Sequence, residues 1–583
     1  MDWEAGLALT EEQRPKPPTE DEIQKWFIDV PAIPPNTFEF ALVLGGTVSA
    51  GAYTAGALDF LIEALDCLAR AQRNGALQHK VRLKLIAGTS GGGVCAAIAA
   101  RALAFDFPHV THSTPVGAAS GNPFYDIWIK TLRLGSFLDT SDIGKELRSL
   151  LNGKPIDDGA SAIIAFDNNK SIPRARDWVG APLRIVLTLT SLRGVPYKTN
   201  FGTKLSQSYV DHADFMRFAL LYPGQALGAP RPDELVLGFG GERLPQATNW
   251  ENFSEFARAT AAFPGGFPPR ALTRPTEHYR WRVVPYPPGP NGQTDYMQVW
   301  PDWDAMVPEG ASAVPADWHM LAVDGGATDN EPIELARTSL CGLLGRNPRE
   351  ATNANRAVWL IDPFAGRAPL GPEGVGPLPA ELGAIVTTLT QQTRYDTADL
   401  LMAGDDKVFS RFMLTPTRHG LNGAELTGEE AIASGGLGAF IGFASPEFMR
   451  FDYLLGRQNC QTFLRSTFSL AADNPVFAGW TAGEKTKWQM RTPAGGNVPM
   501  LPIIPLLDAA AVDEVLDPWP KGKLDPEQYR DALEERFRAI FELELSGSLI
   551  RSVLSWVGAH ATQSQAADYV IGVMRTYLKK AGL

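Results

Sequence analysis

Three short stretches of this 583-residue chain put chemically useful side chains beside glycines. Gly88-Thr89-Ser90-Gly91-Gly92 has the G-x-S-x-G spacing of a nucleophile elbow. A serine hydroxyl becomes a strong nucleophile only when it is positioned and relieved of its proton. In an elbow it sits on a sharp, strained turn, and glycines two places to either side let the flanking strand and helix approach closely. A helix starting just after the serine also favours negative charge developing there. With 56 glycines in the chain, roughly 0.3 chance matches to the spacing are expected, so a glycine-rich βα turn of a doubly wound sheet stays open as a rival reading.

The second stretch is Leu44-Gly45-Gly46-Thr47-Val48-Ser49-Ala50-Gly51. Successive backbone N–H groups in such a turn form a nest that can hold an oxyanion. A dinucleotide fingerprint is excluded by spacing, because Gly45-Gly46 followed by Gly51 does not give G-x-G-x-x-G, and no P-loop Gly-Lys-Ser/Thr follows. The third is Asp324-Gly325-Gly326-Ala327-Thr328-Asp329-Asn330-Glu331-Pro332, an acid at the end of an apolar run with bare backbone after it. Such a carboxylate can act as a general base if a nucleophile's proton lies within hydrogen-bond reach. Asn330 and Pro332 read as a helix start. A turn-forming or calcium-type acid is the alternative for Asp324.

Each stretch needs a strand before it and a helix or turn after it. FEFALVLGG from Phe38 is a short apolar run stopped by glycines, and Leu58, Leu61, Ile62, Leu65 and Leu68 then recur at helical spacing. The same grammar returns at Val81–Ala104. RIVLTLTSL (184–192), MLAVDGG (320–326) and AVWLIDPF (357–364) read as further strands. Strands alternating with helices predict a mostly parallel sheet covered on both faces. Residues 1–37, rich in proline and charge, predict an extended surface arm. Two long inserts are expected at 203–250 and 271–318. The second carries Trp281, Tyr286, Tyr296, Trp300, Trp303 and Trp318, aromatics that suit an acyl-chain entrance. Beyond 366 the periodicity turns helical.

Composition narrows the function classes. A net charge of −12 disfavours non-specific binding to nucleic acid, and no Lys/Arg run offsets it. No window approaches about 18 uninterrupted apolar residues, and the acidic N-terminus does not read as a secretory signal, so a cytoplasmic protein with at most peripheral membrane contact is expected. Cys67, Cys95, Cys341 and Cys460 lack zinc-site spacing and read as buried reduced thiols, with no metal and no cofactor expected.

Four ordered motifs together resemble the patatin-like phospholipase family: the glycine-rich turn at 45–51, GTSGG at 88–92, ARATAAFPGGFPP at 257–269 and DGGATDNEP at 324–332. The resemblance spans 38–365, and 435–465 is similar to the C-terminal region of a subgroup of large bacterial members. It implies a three-layer α/β/α catalytic domain at 38–365 followed by a mainly helical region at 366–583. It also implies a Ser/Asp dyad without histidine: Ser90 attacks the ester carbonyl and Asp324 takes its proton. The N–H groups of Gly45, Gly46 and Thr47 would then stabilise the oxyanion, with Gly88, Gly92, Gly325 and Gly326 shaping the backbone. The implied substrate is a lipid or ester, such as a phospholipid or lysophospholipid. A soluble esterase or acyltransferase on small esters, and an interaction protein on the same fold, are the alternatives. The eight histidines sit in no triad context, and His319 reads as structural. One departure stands out: Thr47 replaces a family glycine, and if that position needs φ > 0 its Cβ reshapes the turn.

Overall fold

The computed structural model describes residues 9–167, 172–201, 205–225, 230–239, 249–286, 295–365, 393–394, 397–420, 423–490, 498–544 and 563–583. Eleven strands matter to the site: β1 (Thr37–Leu44), β2 (Lys80–Gly88), β3 (Val179–Phe201), β4 (Leu205–Leu221), β5 (Glu234–Gly238), β6 (Arg270–Pro275), β7 (Val283–Tyr286), β8 (Asp295–Gln298), β9 (Asp317–Asp324), β10 (Arg356–Ile361) and β11 (Arg411–Leu414). Nine of them form one sheet in the order β11-β10-β1-β2-β3-β4-β5, with β9 paired to β3 and β6 to β9. The order is parallel from β11 to β3. It becomes antiparallel at β3–β4, β3–β9 and β6–β9.

β1 shows why this sheet is central. All eight of its residues are buried, as expected of a strand covered on both faces. Phe38, Phe40, Leu42 and Leu44 point into the main core, while Ala41 and Val43 join a second cluster on the opposite face. Eight helices clothe these faces or follow the strands: α1 (Gly51–Arg73), α2 (Gly91–Ala102), α3 (Lys154–Ala165), α4 (Trp250–Thr260), α5 (Ile333–Cys341), α6 (Pro446–Ser466), α7 (Arg530–Glu544) and α8 (Gln563–Ala581). Ile333, Ala336 and Leu340 of α5 cover the Ala41/Val43 face, and α1, α2 and α6 contribute to the other core. The result is the expected three-layer α/β/α architecture.

Three features differ from the linear reading. The segment read as a first insert supplies two strands of the sheet, β4 and β5; the apolar residues of β4, Tyr209, Val210, Phe215 and Phe218 among them, are interrupted by Asp211, Asp214 and Arg217. The sheet also runs past residue 365, because β11 pairs with β10. Finally, α6 packs directly on α1. A Cβ at Gly56 would lie 2.7 Å from the Tyr453 carbonyl carbon, and one at Gly456 would lie 3.0 Å from Ala57 N, so the two helices touch backbone to backbone. One continuous core therefore includes Leu58 and Leu61 of α1, Leu454 and Leu464 of α6, and Met574 and Leu578 of α8. The N-terminal arm is held by its own small core, in which Ile23 and Phe27 pack with Trp281, Val283 and Leu343.

Candidate active site

Sheet register brings the three motif stretches together. Leu44 is paired with Gly88, so β1 and β2 end level with each other and release their turns side by side. Thr89 N–H donates to the Leu44 carbonyl at 3.1 Å, locking the elbow to the glycine turn. β4 occupies one edge of β3, pairing Leu189 with Asp214, while the other edge pairs with β2 up to Leu187 and then with β9 from Leu189 to Ser191. β9 thus runs head-on toward β2 along the same edge of β3. Its last residue, Asp324, stops where β2 hands over to Ser90.

Ser90 itself has φ 54° and ψ −127°, a strained conformation for a residue with a side chain. Close packing holds it there. A Cβ at Gly88 would lie 2.7 Å from the Gly92 carbonyl oxygen, and one at Gly92 would lie 2.5 Å from the Gly45 carbonyl oxygen. Both positions therefore require glycine. Ser90 N–H donates to the Thr260 hydroxyl at 3.0 Å, which ties the elbow to the end of α4. Thr260 belongs to the ARATAAFPGG motif, and its contact with the elbow could not be read from one dimension.

Asp324 is 3% exposed and accepts the Gly326 N–H at 2.8 Å, and the neighbouring Ser90 hydroxyl also favours its charged form. Burial outweighs both influences and lifts its carboxyl from the ordinary range to about 6. Its backbone is fixed on both sides: N–H to the Ala262 carbonyl at 3.0 Å, and carbonyl to the Thr190 hydroxyl at 2.9 Å. Gly325 crosses so near Thr188 that a Cβ there would lie 2.6 Å from the Thr188 carbonyl carbon.

The glycine turn differs in detail from the expectation. Gly45 N–H donates to the Ile361 carbonyl at 3.2 Å, continuing the β1–β10 pairing, and so is not free for an oxyanion. Gly46 and Thr47 have no backbone acceptor among the described residues. Thr47 sits at φ −137°, so its Cβ carries no left-handed strain; the positive φ, 47°, falls on Val48 instead. Gly91, the first residue of α2, is likewise at a position whose N–H has no intrahelical acceptor. Asn330 does not start α5, which begins at Ile333. Its side chain instead packs against Gly46 and donates to Glu331 at 2.6 Å. Arg394 bridges Glu331 at 3.3 Å and Asp362 at 2.7 Å behind the turn, and burial raises the pKa of both carboxyls.

Ser90 and Gly91 open onto a cavity of about 60 Å³ whose other walls are almost wholly apolar, among them Val94, Trp128, Phe137, Ile163 and Phe267. No described residue of the 271–318 segment lines it. That segment, expected to form the entrance, is spent elsewhere: Trp281 stacks on Phe27 of the arm, and the Arg193 guanidinium lies over Trp318. Trp281, Trp303 and Trp318 are buried in packing, whereas Tyr286 and Trp300 are exposed. His319 is exposed and hydrogen-bonds Thr273 at 2.9 Å on the neighbouring strand. Among the described residues no histidine hydrogen-bonds Ser90 or Asp324, no group of three His, Cys, Asp or Glu side chains converges as a metal site, and no helix is long and apolar enough to cross a membrane. All four cysteines are buried and free.

A mixed sheet in a three-layer sandwich, with a strained serine after one strand and a buried acid after another, defines an α/β protein of the serine-elbow kind. Residues 42–337 match the patatin-like phospholipase family, and the chain belongs to that family. It is also 31% identical over 527 residues to an uncharacterized protein, y4iI, of Sinorhizobium fredii (strain NBRC 101917 / NGR234), covering 83% of this chain and 72% of that one. The likeness therefore extends well past residue 337.

Proposed function

We propose that this protein is a serine acyl hydrolase that cleaves acyl esters of lipids through Ser90 and Asp324. The supporting observation is Ser90, held on a strained elbow, beside the buried Asp324 carboxyl and lining an apolar cavity. Asp324 accepts the hydroxyl proton as Ser90 Oγ bonds to the ester carbonyl carbon. The carbonyl oxygen gains the negative charge and is stabilised by N–H groups of Gly46 and Thr47, joined by that of Gly91 at the helix N-terminus. Collapse of this intermediate breaks the ester C–O bond, and the proton on Asp324 passes to the departing alkoxide. Water, deprotonated by Asp324, then attacks the acyl-enzyme, releases the fatty acid and restores Ser90.

An apolar pocket beside the nucleophile favours esters whose acyl part is hydrocarbon. Hydrolysis of short esters, phospholipids and lysophospholipids by wild type and Ser90→Ala tests the reading. Wild type should be labelled at Ser90 by a fluorophosphonate, and the variant should lose essentially all hydrolysis. Equal labelling or turnover in the variant would place the chemistry elsewhere.

A further inference from the structure

The cavity beside Ser90 is completed from outside the stretch that matches the family. Phe440 and Phe443 line it, on a strap of residues 433–444 that lies between β11 and α6. Their rings complete an aromatic set: Phe443 is 5.0 Å from Phe137, and Phe440 is 5.6 Å from Phe263 and 6.2 Å from Phe267 between centroids. Phe440 and Phe443 themselves are 6.0 Å apart. The strap is not a loose loop. Asp452 of α6 accepts Ala433 N–H at 2.7 Å, Ser434 N–H at 3.0 Å and the Ser434 hydroxyl. The Tyr577 hydroxyl of α8 donates to the Ala433 carbonyl at 3.2 Å, and the Tyr529 hydroxyl donates to the Ala444 carbonyl at 2.8 Å. Both ends are thus clamped by the C-terminal helices and the turn that precedes them.

Between the clamps, Leu437, Gly438 and Ala439 take φ values of 56°, 59° and 68°. Two of these are residues with side chains, so the surroundings hold the backbone in a conformation it would otherwise avoid. That conformation turns the Ala439 carbonyl toward the glycine turn, where it accepts both the N–H of Ser49, at 3.2 Å, and the Ser49 hydroxyl. A Cβ on Gly442 would collide with the Ser49 side chain. The strap therefore touches the site twice, at the acyl cavity and at the turn that begins with Gly46.

We propose that this strap is the specificity determinant of the site, and that Phe440 and Phe443 restrict it to esters of an acyl chain of limited length. The assignment of the cavity to the acyl group rests on the function proposed above. At about 60 Å³ the cavity is well under half the roughly 150 Å³ that accommodates benzene in an engineered protein core, so a long acyl chain does not fit within it unless these rings move. Phe440 is the adjustable wall, being only partly buried, whereas Phe443 is packed on Phe137.

The test uses the full chain as wild type, Phe440→Ala and Phe440→Trp. Binding of straight-chain fatty acids from butyrate to palmitate is measured directly by titration calorimetry, and the matching p-nitrophenyl esters are hydrolysed in parallel. Phe440→Ala should raise the ratio of long-chain to short-chain affinity, and of kcat/KM, by at least about tenfold; Phe440→Trp should lower both by a similar factor. Cooperative melting of both variants establishes that they fold, and Phe443→Leu gives a third, conservative widening should either melt early. Chain-length-dependent binding that shifts in this way without ester turnover supports the strap while refuting the Ser90 reading. Ratios that move less than about threefold in folded variants, or the absence of fatty-acid binding in wild type, overturn the proposal.

Discussion

On the mechanism proposed above Asp324 must be ionised to take the Ser90 proton, so acidification should silence hydrolysis at a pH where the fold still stands. Burial holds this carboxyl at about 6, against the ordinary 3.8, even against the opposing pull of the Ser90 hydroxyl and the Gly326 N–H. Roughly nine-tenths of the molecules then carry the ionised base at pH 7, about half at pH 6 and about one-tenth at pH 5. The same shift predicts a stability effect of opposite direction. Since the folded carboxyl binds its proton more tightly than the unfolded one, stability falls as pH rises from about 3.8 to about 6 and stays low above that. The difference of about two pKa units corresponds to about 3 kcal/mol at neutral pH. Asp324→Asn, which removes the charge and keeps the shape, should therefore be inactive yet more stable than wild type at pH 7, by up to that amount less whatever hydrogen bonding the amide forfeits. The gain should vanish below about pH 4. Two measurements suffice: the acid limb of kcat/KM on a short soluble ester, and thermal melting of both proteins across the same pH range. Asp329 is the control, since burial also lifts its carboxyl to about 6 close to the site. A limb that moves in Asp329→Asn while Asp324→Asn stays active would refute the assignment, as would constant activity from pH 7 to pH 5.

Two further substitutions probe how the elbow is held. Thr260→Val removes the acceptor of the Ser90 N–H at nearly constant volume, leaving a buried donor unsatisfied at a cost of about 1–3 kcal/mol. Turnover should drop about tenfold with KM little changed, and Thr260→Ser should restore it; an unaffected kcat in the valine variant would show that the bond is dispensable. Gly92→Ala pushes a Cβ to 2.5 Å from the Gly45 carbonyl oxygen and should abolish both elbow and activity, whereas Gly135→Ala, with open space around it, should melt within about 0.5 kcal/mol of wild type. Similar melting of the two glycine variants would mean that strand and helix can separate at Gly92 without loss.

Which parts of this were legible in one dimension follows from the range of the forces involved. The strand, turn and helix around Ser90 and around Gly46 are local, set by a buried apolar run, glycines and helical periodicity, and they could be placed from sequence. That Asp324 meets Ser90 depends on β9 running against β2 along one edge of β3, where Leu189 pairs with Asp324 from a segment far along the chain. Only the family resemblance anticipated it. Gly45 illustrates a finer loss: as a glycine in a nest it reads as an oxyanion donor, but its N–H is taken by Ile361 of β10, and no local rule reveals that. Thr47 was expected to strain the turn, yet the positive φ fell one residue later, on Val48, because a turn's handedness depends on its register and not on which residue looks out of place.

The aromatic segment at 271–318 and the strap at 433–444 show the same limit in opposite directions. Tryptophans at 281 and 318 attract attention as a lipid gate, but they are covered by Phe27 and Arg193, partners supplied by distant segments. Phe440 and Phe443 sit in a run of glycine and alanine that has no chemical signal at all, and they reach the cavity because α6 lies on α1 with its backbone in contact at Gly56 and Gly456. That contact fixes where Asp452 stands, Asp452 fixes where the strap begins, and the strap's Ala439 carbonyl meets Ser49 three residues beyond Gly46. The glycines at 56 and 456, which touch nothing reactive, therefore help to place the phenylalanines that line the cavity beside Ser90.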